Sequence, residues 1–77
     1  MIADPSQVIV TMGFTPQAVQ VHHRVIPELH ADGESPETAA ANLAQDLARE
    51  IEGAADPDRR ELFQGALADV RAFIVKG

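Results

Sequence analysis

The fold turns on the stretch Val19-Gln20-Val21-His22-His23-Arg24-Val25-Ile26-Pro27-Glu28-Leu29-His30-Ala31-Asp32. Its odd positions are mostly apolar and its even positions mostly polar, with His23 and Ile26 as the exceptions. Successive side chains on a strand point to opposite faces, so this alternation predicts one long strand, dry on one face and wet on the other. Pro27 is the only turn signal inside it, and proline in a sheet is confined to edges, bulges and ends. The strand either bends or bulges at Pro27 or breaks there into two short strands. A bend or bulge in one continuous strand is the favoured expectation.

Upstream, Val8, Val10, Met12 and Phe14 alternate with Gln7, Ile9, Thr11 and Gly13. β-branched residues dominate, which predicts a first strand. Thr15-Pro16-Gln17 ends it, because Pro16 lacks a ladder donor and presets a turn. Downstream, Gly33 ends the second strand, and Ser35-Pro36 with Glu37 reads as N-cap, first helical position and first-turn acid. Ala39, Leu43, Leu47 and Ile51 then form an apolar spine, with Ala40, Ala44 and Ala48 as a thin shoulder beside it. Gly53-Ala54-Ala55 closes this helix, and Asp56-Pro57-Asp58 starts a second one that runs to about Val75. Leu62, Phe63, Ala66, Leu67, Val70, Phe73 and Ile74 share its apolar face, and Gly65, Ala68 and Ala72 form a stripe of small residues. The expected fold class is α+β: an antiparallel β-hairpin with a long second strand, then two amphipathic helices (ββαα), in one domain spanning 1–77.

The core is thin. Of the 77 residues, 45% are apolar, but 13 are alanine. A domain this short buries only about 60% of its unfolded surface, so such scaffolds usually need a disulfide, a metal, very good helix packing or a partner. Cysteine is absent, which removes disulfides and thiolate metal sites. A long second strand would also outrun its hairpin partner over Ile26 to Asp32, and an unpaired edge invites another strand. A homodimer joined through the sheet is therefore expected. Its interface candidates are Ile26, Pro27, Leu29 and Ala31, with Gly65, Ala68 and Ala72 as a second route through helix packing. The alternative is a monomer in which the segment after Pro27 folds back as a third strand.

Six basic residues against twelve acidic ones give a net charge of −6. Nucleic-acid binding is driven by Lys and Arg on phosphates, so this balance speaks against it, as it does against anionic membranes. Tyr and Trp are absent, which removes most stacking platforms. No apolar run approaches a membrane span and the first residues lack a leader pattern, which fits a cytoplasmic protein.

Little in the chain suggests catalysis. Ser6 and Ser35 are the only serines, and Ser35 is already used as a cap. Acid pairs such as Asp56/Asp58 look solvated, whereas perturbed carboxylates need a desolvated pocket. The polar strand face carries His22, Arg24, Glu28, His30 and Asp32. Three of these, Glu28, His30 and Asp32, recur at period two, a spacing that suits a divalent cation; the plainer reading is a solvated face. His23, on the apolar side, reads as a hydrogen-bonded histidine at a sheet margin.

Ile26-Pro27-Glu28-Leu29, then Gly33-Glu34-Ser35-Pro36-Glu37-Thr38-Ala39, and on through Asn42-Leu43-Ala44, resembles HicB-type antitoxins over about residues 26–50. That family shows a strand with a Pro-Glu/Asp-Leu element, then Gly-Asp/Glu-Ser/Thr, then a helix opening with acids and alanines. The Pro-Gly-Cys that usually follows Leu29 is missing. A second amphipathic helix stands after residue 53, where the family has a ribbon-helix-helix or helix-turn-helix segment. The resemblance implies an oligomeric sheet-and-helix module that binds a protein partner, with a basic ribonuclease-type toxin as one candidate. The expected function is a non-catalytic, homodimeric protein-interaction module with no cofactor and a basic protein partner. The alternative is a small metal- or ligand-binding protein that uses the polar strand face.

Overall fold

A computed structural model describes residues 3–13 and 18–76. Phe14, the Thr15-Pro16-Gln17 break, Met1 and Ile2 lie outside the described residues. A single 3₁₀ turn, Pro5–Gln7, leads into strand β1, Val8–Met12, then β2, Val19–His23, and β3, Ile26–Gly33. Helices α1, Pro36–Gly53, and α2, Pro57–Lys76, complete the order. The three strands form one antiparallel sheet in the order β1-β2-β3. The fold is α+β, with an antiparallel sheet followed by two helices.

The expected two-stranded hairpin is corrected here. The long second strand breaks, and it breaks at Arg24-Val25 rather than at Pro27. The segment Ile26 to Asp32 is not left unpaired, because it folds back along β2: Val19 faces Gly33, Val21 faces Ala31 and His22 faces His30. The register then slips, so that His23 faces Ile26 with Pro27, Glu28 and Leu29 taken up on the β3 side. The turn reverses the phase of the alternation and the slip restores it. That is why Ile26, an exception to the pattern, is a core residue while Val25, which obeys the pattern, is 55% exposed.

The core lies between the sheet and the helix pair. Val19, Val21, Ile26 and Ala31 meet Ala39, Ala40, Leu43 and Leu47 of α1 and Phe63, Ala66, Leu67 and Val70 of α2. Helix α1 packs on β2, β3 and α2, whereas α2 packs on α1 and the 3₁₀ turn and only lightly on β1. The first strand's apolar face is accordingly half used: Val8 is buried, but Val10 and Met12 are 37% and 66% exposed.

Local chemistry sets the helix starts. The Ser35 hydroxyl accepts from the Thr38 amide at 3.2 Å, with Pro36 in the first turn, which satisfies one of the amides a helix start leaves free. The Asp56 carboxylate does the same for the Asp58 amide at 3.0 Å. Gly33 permits the close docking of α1 on the end of β3, because a Cβ there would lie 2.5 Å from the Ala39 nitrogen. Gly53 is not the left-handed stop that glycine usually supplies: it is the last helical residue, and Ala54 leaves the helix in an extended conformation.

Candidate functional site

The described residues carry one buried polar side chain in the core, His23, which is 4% exposed at the end of β2. Its Nε2 lies 2.7 Å from Oδ2 of Asp69 on α2. Its Nδ1 accepts from the Val25 amide at 3.1 Å. An acceptor at Nδ1 carries no proton there, so the ring is the Nε2–H tautomer and donates to the carboxylate. The other oxygen of Asp69, Oδ1, accepts from the Asp4 amide at 2.8 Å. The Asp4 carboxylate in turn accepts from the Ser6 hydroxyl and amide at 2.6 Å and 3.0 Å and from the Gln7 side-chain amide at 3.2 Å. Those bonds, the Ser6 hydroxyl first, hold the Asp4 carboxyl below its ordinary value.

This arrangement ties three segments together. In a hydrolase triad the carboxylate orients one ring nitrogen and the other faces the reacting group. Here both nitrogens are taken, one by Asp69 and the other by the turn. The tie closes the Arg24-Val25 turn and joins α2 to β2 and to the segment before β1. The two serine hydroxyls are also engaged locally, Ser6 on Asp4 and Ser35 on Thr38.

Above the tie lies a shallow, open groove of about 420 Å³ between the β2–β3 turn and the first half of α2. Val25 and Leu62 line it, both exposed large apolar residues, at 55% and 44%. The lining also includes Asp58 and Glu61, both exposed, and Gly65, half-buried. On the same helix Arg59 lies over the Phe63 ring, 4.8 Å from its centroid. The groove thus pairs apolar surface with the exposed carboxylates of Asp58 and Glu61, the tied His23 and Asp69 also reach its lining, and neither Lys nor Arg is among the lining residues.

The residues singled out from the sequence are scattered. Ile26 and Ala31 are buried in the chain's own core and Leu29 packs half-buried against it, so their side chains are not free for a partner. Pro27 and Ala68 are exposed, and Ala72 is half-buried. On the outer sheet face His22 stands opposite His30, and Asp32 opposite Gln20. Glu28 sits in the slipped stretch and Arg24 in the turn, both exposed. Glu28, His30 and Asp32 are not brought together: among the described residues no group of three His, Asp or Glu is placed to hold a metal ion. Among those same residues, no helix is long and apolar enough to cross a membrane.

Asp69 escaped the sequence reading. It lies four residues after Gly65 and three after Ala66, so it shares a helical face with small and apolar side chains. One acid on such a face and one histidine on a dry strand face are the two halves of a pair. No protein-family model, no curated protein and no solved structure matches the chain.

Proposed function

We propose that the chain is a non-catalytic binding module that holds a basic protein partner in the groove between the β2–β3 turn and α2. The observation that carries this reading is the placement of exposed Val25 and Leu62 beside the carboxylates of Asp58 and Glu61. An apolar anchor ringed by charge is how an interface gains both affinity and partner choice. With a net charge of −6, the whole chain favours approach of a basic surface. A segment with a large apolar side chain flanked by arginine or lysine fits this lining. A basic ribonuclease-type toxin is the partner class that the HicB resemblance suggests. The engaged state of His23, Ser6 and Ser35 supports a role without catalysis.

The test is an amide NMR titration with a synthetic peptide carrying a leucine pair flanked by arginines, alongside its glutamate counterpart. The arginine peptide is expected to shift Val25, Glu61, Leu62 and Gly65, less so at high salt, and Leu62→Ser is expected to abolish the response. Shifts spread evenly over Glu34, Glu37, Glu50 and Glu52 and unchanged by Leu62→Ser would reject the groove.

A further inference from the structure

The two edges of the sheet are not alike. The β3 edge is guarded in three ways. Pro27 has no amide to offer, the register slips across Pro27 to Leu29, and the Asn42 side chain donates to the Asp32 carbonyl at 2.8 Å. Proline, irregular register, charge and covering side chains are the devices by which sheet edges avoid other strands. Among the described residues the first strand shows none of them. Val8-Ile9-Val10-Thr11-Met12 is uncharged and mostly β-branched, and it pairs with β2 in unbroken register. Among the described residues it has a strand on one side only.

The helix layer also stops short of β1. Val10 faces Val21 and Met12 faces Val19 across the ladder. Val21 and Val19 are fully buried, whereas Val10 and Met12 are exposed. An apolar face and an open backbone edge therefore coincide on one strand.

Charge chooses the occupant. All six basic and all twelve acidic side chains lie outside residues 5–23. A second copy brings the same net charge of −6, and two like-charged molecules meet at lowest cost where neither carries charge. A basic partner gains nothing from this surface, which offers it no carboxylate.

We propose that β1 is the homodimer interface, pairing antiparallel with β1 of a second copy across a two-fold axis. Such an interface is self-complementary: Val10 faces Val10 of the partner copy, and Val8 faces its Met12. The axis runs perpendicular to the sheet, so two three-stranded sheets merge into one with all helices on the same side. The Val10 and Met12 side chains of both copies then fill the gap between the two helix layers. This moves self-association from the Ile26–Asp32 segment, which the chain satisfies internally, to the opposite edge.

The experiment is light scattering on the eluting protein at tens of micromolar, for the intact chain and for Val10→Lys, Met12→Lys and His30→Lys. The expected mass is twice the 8.3 kDa of one copy. Val10→Lys and Met12→Lys are expected to halve it with an unchanged far-UV circular dichroism spectrum, since both side chains already reach solvent in a single copy. His30→Lys, on the guarded edge, is expected to leave the dimer intact. A single-copy mass for the intact chain overturns the proposal, and so does a dimer that survives both β1 substitutions. If either lysine variant fails to fold, the other decides, and cross-copy NMR contacts between Val8 and Met12 in mixed labelled protein decide independently.

Discussion

His23 and Asp69 lie 46 residues apart in sequence, yet Nε2 of one stands 2.7 Å from Oδ2 of the other. A buried group stripped of its hydrogen-bond partner costs the full desolvation of what remains. Asp69→Ala strands the buried His23 Nε2–H, while the exposed Asp4 amide is left to water. The expected loss is about 2 kcal/mol, seen as a fall in Tm of about 4–8 °C for each kcal/mol in a domain of this size. A double-mutant cycle of His23→Leu and Asp69→Leu should lose less than the two singles added, with a coupling of about 1 kcal/mol or more. Strict additivity in urea melts would show that the two side chains do not act on each other.

The second prediction concerns acid. The Asp4 carboxyl is held below its ordinary value by the Ser6 hydroxyl, then by the Gln7 side chain and the Ser6 amide. Its folded value lies below its unfolded one, so its contribution to stability is present above the unfolded value and is lost as pH falls through the folded one. Ser6→Ala should raise the Asp4 titration midpoint in a carbonyl-detected NMR titration. It should also narrow the stability gap between neutral and acid solution. An unmoved midpoint would mean that the Ser6 hydroxyl does not hold this carboxylate.

Two glycines should respond in opposite directions to alanine. At Gly33 a Cβ meets the Ala39 backbone, and backbone cannot step aside as a flexible side chain can. Gly33→Ala should cost about 1–3 kcal/mol. At Gly53 a Cβ meets nothing within 4 Å, and the residue is helical. Gly53→Ala should stabilise by about 0.5–1 kcal/mol. Chemical melts of the two variants against the parent read both signs at once.

The groove should separate binding from folding. Leu62→Ser removes a side chain that is 44% exposed and lies outside the buried core. Its effect on stability should stay within about 1 kcal/mol, while the response to the arginine-flanked peptide disappears. A large fall in Tm would instead assign Leu62 to the core.

Both helices were legible from the chain because their signals are local. Ser35-Pro36 and Asp56-Pro57 announce the starts within two residues, and the apolar spacing does the rest. The turn at Arg24-Val25 was hidden for a physical reason. Tight hairpins usually need positive φ, and hence Gly, Asn or Asp. None of the described residues has a positive φ, so this reversal left no such mark. It is held by a side chain instead, as His23 accepts the Val25 amide. The trace it did leave was the pair of exceptions, His23 and Ile26, on either side of it. Asp69 was illegible because nothing in local spacing links a strand end to a helix so far along the chain.

The tie has a consequence for how the molecule comes into being. A ribosome makes His23 long before Asp69, and Asp4 earlier still. While α2 is unmade, the Arg24-Val25 reversal has its histidine but no carboxylate to hold that ring, and the Asp4 amide lacks its acceptor. The sheet can form early, but the tie closes only when α2 arrives. The nascent chain therefore carries its least charged stretch, Pro5 to His23, without this tie until Asp69 has been made, and the closing of Asp69 on His23 supplies it.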